Sequence, residues 1–162
     1  MQPSATKVVV ADAGPLIALG RLDRLALLGG VFEQVQVPRA VLAECLARPE
    51  LADAQRIMAA VADGTLLPCE ATAIAASGLQ TGERAAIGRA IEIGAALLAD
   101  DRAARLHASA HGLVVIGTLG VLVRAKRIGL LPAVAPLVEQ LRAGGHRLGS
   151  PAIDAALSAA QE

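Results

Sequence analysis

The chain repeats one pattern: a short run of β-branched and other apolar residues, then a polar or turn-forming residue, then a segment with helical spacing of Leu, Ile and Ala. The first run, 7–11, reads KVVVA and stops at Asp12, with Gly14 and Pro15 close behind. An apolar run of this length is typical of a strand buried on both faces, as in a parallel sheet. Further strands are predicted at 35–37, 65–68, 95–99 and 113–116.

The segments between these runs have the spacing and the terminal residues of helices. Leucines at helical spacing predict one helix from Pro15 to Leu28. Thr81 predicts the cap of a long helix, and Gly94 predicts its end. The other helices are predicted at 38–46, 49–63, 102–111, 118–128, 132–143 and 150–160. Strands that alternate with helices predict an α/β fold around a parallel sheet.

Length and composition limit the class of protein. The 162 residues are enough for one domain with a substantial core. No apolar run approaches the roughly 18 to 20 residues of a spanning helix, and the N-terminus lacks a signal layout, so we predict a cytoplasmic protein. Phe32 is the one aromatic residue, which disfavours a site that stacks bases or sugars. Cys45 and Cys69 fit neither a metal motif nor a disulfide framework.

Acidic residues follow two of the predicted strands. Ligands of parallel α/β sheets bind beyond the carboxyl ends of the strands. This rule selects Asp12 after the first strand and the adjacent Asp100 and Asp101 after another. It also selects Thr118, just beyond the strand at 113–116. These residues are distant in the sequence, and we expect them to meet at one edge of the sheet.

Each acid also has an ordinary structural explanation. Asp12, and either Asp100 or Asp101, could cap the helices that follow them. Glu83 is in the first turn of a helix, where the helix dipole favours a carboxylate, and Glu44 could be a solvated residue on a helix surface. Together, however, unpaired carboxylates in one cleft are costly without a cation. Mg²⁺ and Mn²⁺ prefer carboxylate oxygens and retain waters that can attack a phosphate.

The charge is distributed unevenly along the chain. Residues 1–101 hold 8 Lys+Arg and 12 Asp+Glu, whereas residues 102–162 hold 7 and 3. Arg102 and Arg105 directly follow the paired aspartates, and a later basic cluster contains Arg124 and Arg127. An acidic site with a basic flank suits phosphodiester hydrolysis, with arginines on the phosphates. The later cluster could equally serve solubility on a helix surface.

Two long segments resemble PIN-domain proteins. The first is KVVVADAGPLIALGRLDRLALLGGVFEQVQVPRAVLAEC, which has a strand, an aspartate, a proline turn, a leucine-rich helix and a V-P-x-x-V-x-x-E element. The second carries GE-x-x-A-I, LL-x-DD-x-x-AR and G-L-x-V-I-G-T-L-G-V-L in that order. It is similar to a VapC-like subfamily of nucleic-acid-cleaving proteins that are often toxins of toxin–antitoxin pairs. The resemblance covers about 7–150.

The resemblance implies a Rossmann-like fold, a three-layer α/β/α sandwich with a central parallel sheet. The expected organisation is a single domain over 1–162, with a core at about 7–150 and a C-terminal helical extension at about 150–162. Three other α/β classes fit less well. A phosphoacceptor receiver would have paired acids before its first helix, a haloacid-dehalogenase-like phosphatase would have Asp-x-Asp after its first strand, and a dinucleotide binder would have a glycine-rich turn there.

The resemblance also implies a set of metal ligands, matched by motif. Asp12 is the first acid, Glu44 the second and Glu83 the third, where commoner toxins carry Asp. The fourth stands in a Thr-x-Asp sequence in better-known relatives, which here places Asp101 at the aspartate and Ala99 at the threonine. We favour Asp101 as the ligand, while Asp100 could instead bind the metal or hold a metal-bound water.

The predicted activity is therefore Mg²⁺- or Mn²⁺-dependent endoribonuclease, leaving 5′-phosphate and 3′-hydroxyl ends. Arg102, Arg105 and Thr118 are the candidate contacts for the RNA substrate, although Thr118 could merely cap its helix. The expected partners are a cognate antitoxin and a second copy of the chain. The alternative is a PIN-like module that binds RNA or a protein without cutting.

Overall fold

The computed structural model describes residues 7–162. Five strands form one sheet in the order β3-β2-β1-β4-β5, and every pairing is parallel. They are β1 (Val8–Ala11), β2 (Gln34–Pro38), β3 (Leu67–Cys69), β4 (Ala96–Leu98) and β5 (Val115–Ile116). All five lie where the sequence predicted strands. The central strands β1 and β4 are apolar runs that the sheet buries, β2 alternates buried and partly buried residues, and the edge strand β3 is largely exposed.

Nine helices connect and flank these strands within residues 7–162. They are α1 (Ala13–Arg21), α2 (Ala26–Val31), α3 (Arg39–Cys45), α4 (Ala52–Ala62), α5 (Thr81–Ile93), α6 (Arg102–Ala110), α7 (Thr118–Arg127), α8 (Ala135–Ala143) and α9 (Ser150–Ala159). The result is the predicted three-layer α/β/α sandwich. None of the helices in the described range is long and apolar enough to cross a membrane.

The core lies where the central strands meet the helices. Val9 and Val10 of β1 and Leu97 and Leu98 of β4 are fully buried, and so is Ile87 of α5. β1 is the central strand: it is hydrogen-bonded to β2 on one side and to β4 on the other, and it packs against α5. This burial fixes the register of the strands and hence the positions of the residues that follow them.

The prediction of one helix from Pro15 to Leu28 was wrong. The chain breaks at Asp23, whose φ of +54° is left-handed, and forms α1 and α2 instead. A left-handed residue interrupts the i→i−4 hydrogen bonds of a helix. Leu22 and Leu25 stay buried across the break, so the leucine spacing continues where the helix does not.

Candidate functional site

Asp12 is the buried centre of the candidate site. It follows β1 at the first position before α1, and its N–H donates to Leu98 O at 2.9 Å, which ties it to β4. The residue is 5% exposed. Its carboxylate makes no capping bond to α1, and its Oδ1 has no hydrogen-bond partner among residues 7–162. The capping explanation is therefore wrong for Asp12, and a buried carboxylate oxygen without a partner is costly.

The surroundings of Asp12 disfavour its negative charge. Burial raises the pKa of Asp12 to about 7, although the adjacent backbone N–H of Ala13 acts in the opposite direction. The negative charges of Glu83, Glu44 and Asp101 raise the pKa further. The fold thus brings three other predicted acids within electrostatic reach of Asp12.

Glu44 reaches this cluster from α3, which packs against α5. It is the penultimate residue of α3 and is exposed at the surface. Its Oε2 lies 2.9 Å from the place that a Cβ on Gly82 would occupy, so the missing side chain at Gly82 leaves room for the carboxylate. Desolvation raises the pKa of Glu44, and the charge of neighbouring Glu83 raises it further.

Glu83 is held at the start of α5. The Gln80 N–H donates to Glu83 Oε2 at 3.0 Å, which forms half of a capping box. The cap of α5 is therefore Gln80, and the predicted cap Thr81 is the first residue of the helix. The capping box uses one oxygen of Glu83, and the partial positive charge of the helix start favours the carboxylate there.

The adjacent aspartates face different partners. Asp101 is exposed, and its Oδ2 accepts the Ala104 N–H at 3.0 Å, which caps α6. Its charge nevertheless contributes to the raised pKa of Asp12. Asp100 accepts two hydrogen bonds from Thr118: N–H to Oδ1 at 2.8 Å and Oγ1 to Oδ2 at 2.6 Å. The repulsion between neighbouring carboxylates is thus relieved by separate hydrogen-bond networks.

His146 completes the network around Asp100. Its Nε2 lies 3.5 Å from Asp100 Oδ2. Burial raises the pKa of Asp100, but hydrogen bonds from His146 and Thr118 outweigh it and hold the pKa below its ordinary value. Asp100 therefore joins the end of β4 to α7 and to the loop after α8. Sequence reasoning missed His146 because it lies alone in a glycine-rich loop with no motif around it.

The three residues predicted to contact the RNA substrate differ in how far they are buried. Thr118 is fully buried, and Gly117 takes the capping position of α7, so Thr118 neither caps the helix nor faces solvent. Arg105 is half-buried and its Nη1 donates to Ala99 O at 2.8 Å. Arg102, at the start of α6, is exposed.

Replacing Thr118 with valine is expected to lower the free energy of unfolding by about 1 to 3 kcal/mol. Valine keeps the packing but removes the hydroxyl that donates to the ionised Asp100. Urea denaturation would measure the loss, and Thr118→Ser, which keeps the hydroxyl, is the control. Equal stability of the valine and wild-type proteins would contradict this role for Thr118.

The acids do not form a closed metal cage by themselves. Across residues 7–162, no group of three or more His, Cys, Asp and Glu side chains has the arrangement of a formed metal site. Like charges without a cation repel, and the long side chains of Glu44 and Glu83 can spread apart. The donor set still suits a hard divalent cation, because all four groups are carboxylates and Asp12 Oδ1 lacks a partner within the described chain.

Comparison with known proteins agrees with this fold. A family model described as PIN domain matches residues 8–162. A search of curated proteins gives no match. Among solved structures, a PilT N-terminus domain protein of the hyperthermophilic archaeon Sulfolobus solfataricus is similar, with a TM-score of 0.53 and 18% identity, over 70% of this chain and 89% of that one. The chain belongs to the PIN-domain family, whose members are commonly nucleases and typically bind divalent metals.

Proposed function

We propose that this protein is a metal-dependent endoribonuclease. The observation that carries the proposal is Asp12, a buried carboxylate with an unpartnered oxygen, whose pKa is raised by burial and further by the charges of Glu83, Glu44 and Asp101. This arrangement is unfavourable unless a cation offsets it. Membership of the PIN-domain family supports the assignment of the cation to nuclease chemistry.

The four carboxylates would have different roles in holding the cation. Asp12 and Asp101 would be the main ligands of Mg²⁺ or Mn²⁺, and Glu44 and Glu83 would complete the shell. When bound, the cation would lower the pKa of a water and offset charge on the phosphate. Asp100 would act as a positioning residue, because both of its oxygens bind Thr118 and hold β4 against α7.

Arginines near the acids would contact the substrate. Arg102 is exposed beside Asp101, and Arg105 stabilises the end of β4 through Ala99. Contacts with RNA phosphates would give a binding constant that falls as salt rises. We further propose that the protein is the toxin of a toxin–antitoxin pair, that the antitoxin covers the acidic site, and that the toxin is a homodimer. These proposals rest on the sequence resemblance.

The alternative function is binding of RNA or a protein without cleavage. Both functions are compatible with the fold, because a fold hosts many activities and the site decides among them. All four matched acids are present in this chain, which favours the enzyme. A module that only binds RNA or a protein would gain nothing from placing carboxylates that repel one another in one site.

A titration with Mn²⁺ separates these functions. A cation that binds only the folded protein is expected to stabilise it by about 2.7 kcal/mol at a hundredfold excess over Kd, or roughly 5 to 10 °C in Tm. Thermal melting after treatment with EDTA would measure the shift. Asp12→Asn should lose it, and Glu139→Gln, the same kind of change on exposed α8, should keep it. No shift in the wild-type protein would favour the non-catalytic module.

A further inference from the structure

A groove of about 1330 Å³ runs between α7 and α9. Asp100 and Gly117 line it at the start of α7, and Ile128 lines it just after the helix ends. At that second end α9 is tied to α7, because Lys126 Nζ donates to Ala160 O at 2.6 Å. The groove is therefore formed by two helices whose relative position is fixed.

The walls of the groove are mostly apolar. Leu119 and Val123 of α7 line it, and Ile128 leaves 57% of its surface exposed there. The lining residues of α9 are all alanines: Ala152, Ala155, Ala156 and Ala159. Alanines at helical spacing let the backbone of another segment approach closely, and covering the exposed isoleucine would be favourable.

Arginines give the same groove a positive charge. Arg105, Arg124, Arg127 and Arg147 line it, and among the described lining residues the single carboxylate is Asp100. The charge of Asp100 is already engaged by Thr118 and His146. Arg124 and Arg147 form no side-chain hydrogen bond or ion pair with any other part of 7–162, so their charges are available to a ligand.

Apolar walls with arginines beside them define the chemistry of the occupant. A segment that fits both would be amphipathic, with apolar side chains toward Leu119 and the alanines and with acidic side chains toward Arg124 and Arg147. RNA fits less well. Its phosphates would gain nothing from the apolar walls, and no aromatic residue lines the groove to stack its bases.

We propose that this groove docks an amphipathic, acidic helix of a partner protein. The proposal requires no hydrolysis and stands apart from the nuclease assignment, since the four acids that would hold the cation are not needed for it. The apolar walls would supply the contact area, and the arginines would set the orientation and select acidic over basic partners.

A displayed library of helical peptides tests this proposal. Leu and Ala would be fixed on one face, and the flanking positions would be randomised among Glu, Lys and Ser. Selection on the immobilised wild-type protein is expected to enrich Glu. Selection on R124E/R147E is expected to enrich Lys instead, and the Glu-rich peptides should bind this variant about tenfold more weakly or worse. Neither arginine makes an internal hydrogen bond in the described chain, so the variant should fold.

R24E/R48E is the matched control, because it changes the net charge equally at exposed arginines outside the groove. It should select the same Glu-rich peptides as wild type. Enrichment of nothing, or of the same peptides on all three proteins, would overturn the proposal. Displacement of the peptides by oligo-uridine would assign the groove to RNA. A wild-type dimer in sedimentation that R124E/R147E dissociates would assign it to a second copy.

Discussion

Replacing Asp12 with asparagine is expected to reduce RNA cleavage by about a thousandfold or more, because the variant loses the carboxylate at the centre of the proposed metal site. The shape of the side chain is preserved, so the fold should persist. Cleavage would be measured with purified protein, single-stranded RNA and Mn²⁺. In a bacterial host, induction followed by sequencing of RNA ends should show new 5′-phosphate and 3′-hydroxyl ends for wild type only.

Glu139→Gln is the control for this experiment, since it makes the same chemical change at an exposed side chain that pairs with Arg142. It should cleave RNA at the wild-type rate. Circular dichroism and thermal melting would show that Asp12→Asn is folded. An unchanged rate of cleavage in folded Asp12→Asn would overturn the nuclease proposal at this site, whatever the outcome at the groove between α7 and α9.

The second large effect concerns stability and pH. The pKa of Asp12 is about 7 in the folded protein against an ordinary value of 3.8, so the folded state holds a proton that the unfolded state has released. Stability without metal should therefore fall as pH rises from about 4 to 7, by roughly 4 kcal/mol at most. Urea denaturation in EDTA across this range would measure the decline.

Other groups affect this range differently. The raised pKa of Glu44 acts in the same direction as that of Asp12. Asp100 has a lowered pKa, so its stabilisation is present above its ordinary pKa and is lost only at more acidic pH. Asp12→Asn should thus flatten most of the decline and exceed wild type in stability above pH 7. A decline of the same size in the variant would contradict the assignment to Asp12.

The sequence predicted the architecture because the forces that select strands are largely local. Each short apolar run became a strand of the parallel sheet, and Gly94, with a φ of +66°, ends α5 as predicted. The failure at Asp23 has a physical reason. Spacing reports which side chains are buried, and buried leucines continue through the turn between α1 and α2. The spacing of the buried leucines therefore does not show that the backbone is no longer helical at this turn.

The sequence by itself determined the fold class and the positions of the acids, through strand ends and motif resemblance. Only the tertiary structure decided how the acids differ. It buries Asp12 near three other carboxylates. Asp100 accepts hydrogen bonds from Thr118 and lies beside His146, whereas Asp101 caps α6. The two neighbours differ because the partners of Asp100 come from α7 and from the loop after α8, whereas the partner of Asp101 is the backbone of α6. The burial of a carboxylate and the charges around it depend on packing between segments that are distant in the sequence. The spacing of residues within one segment does not predict that packing.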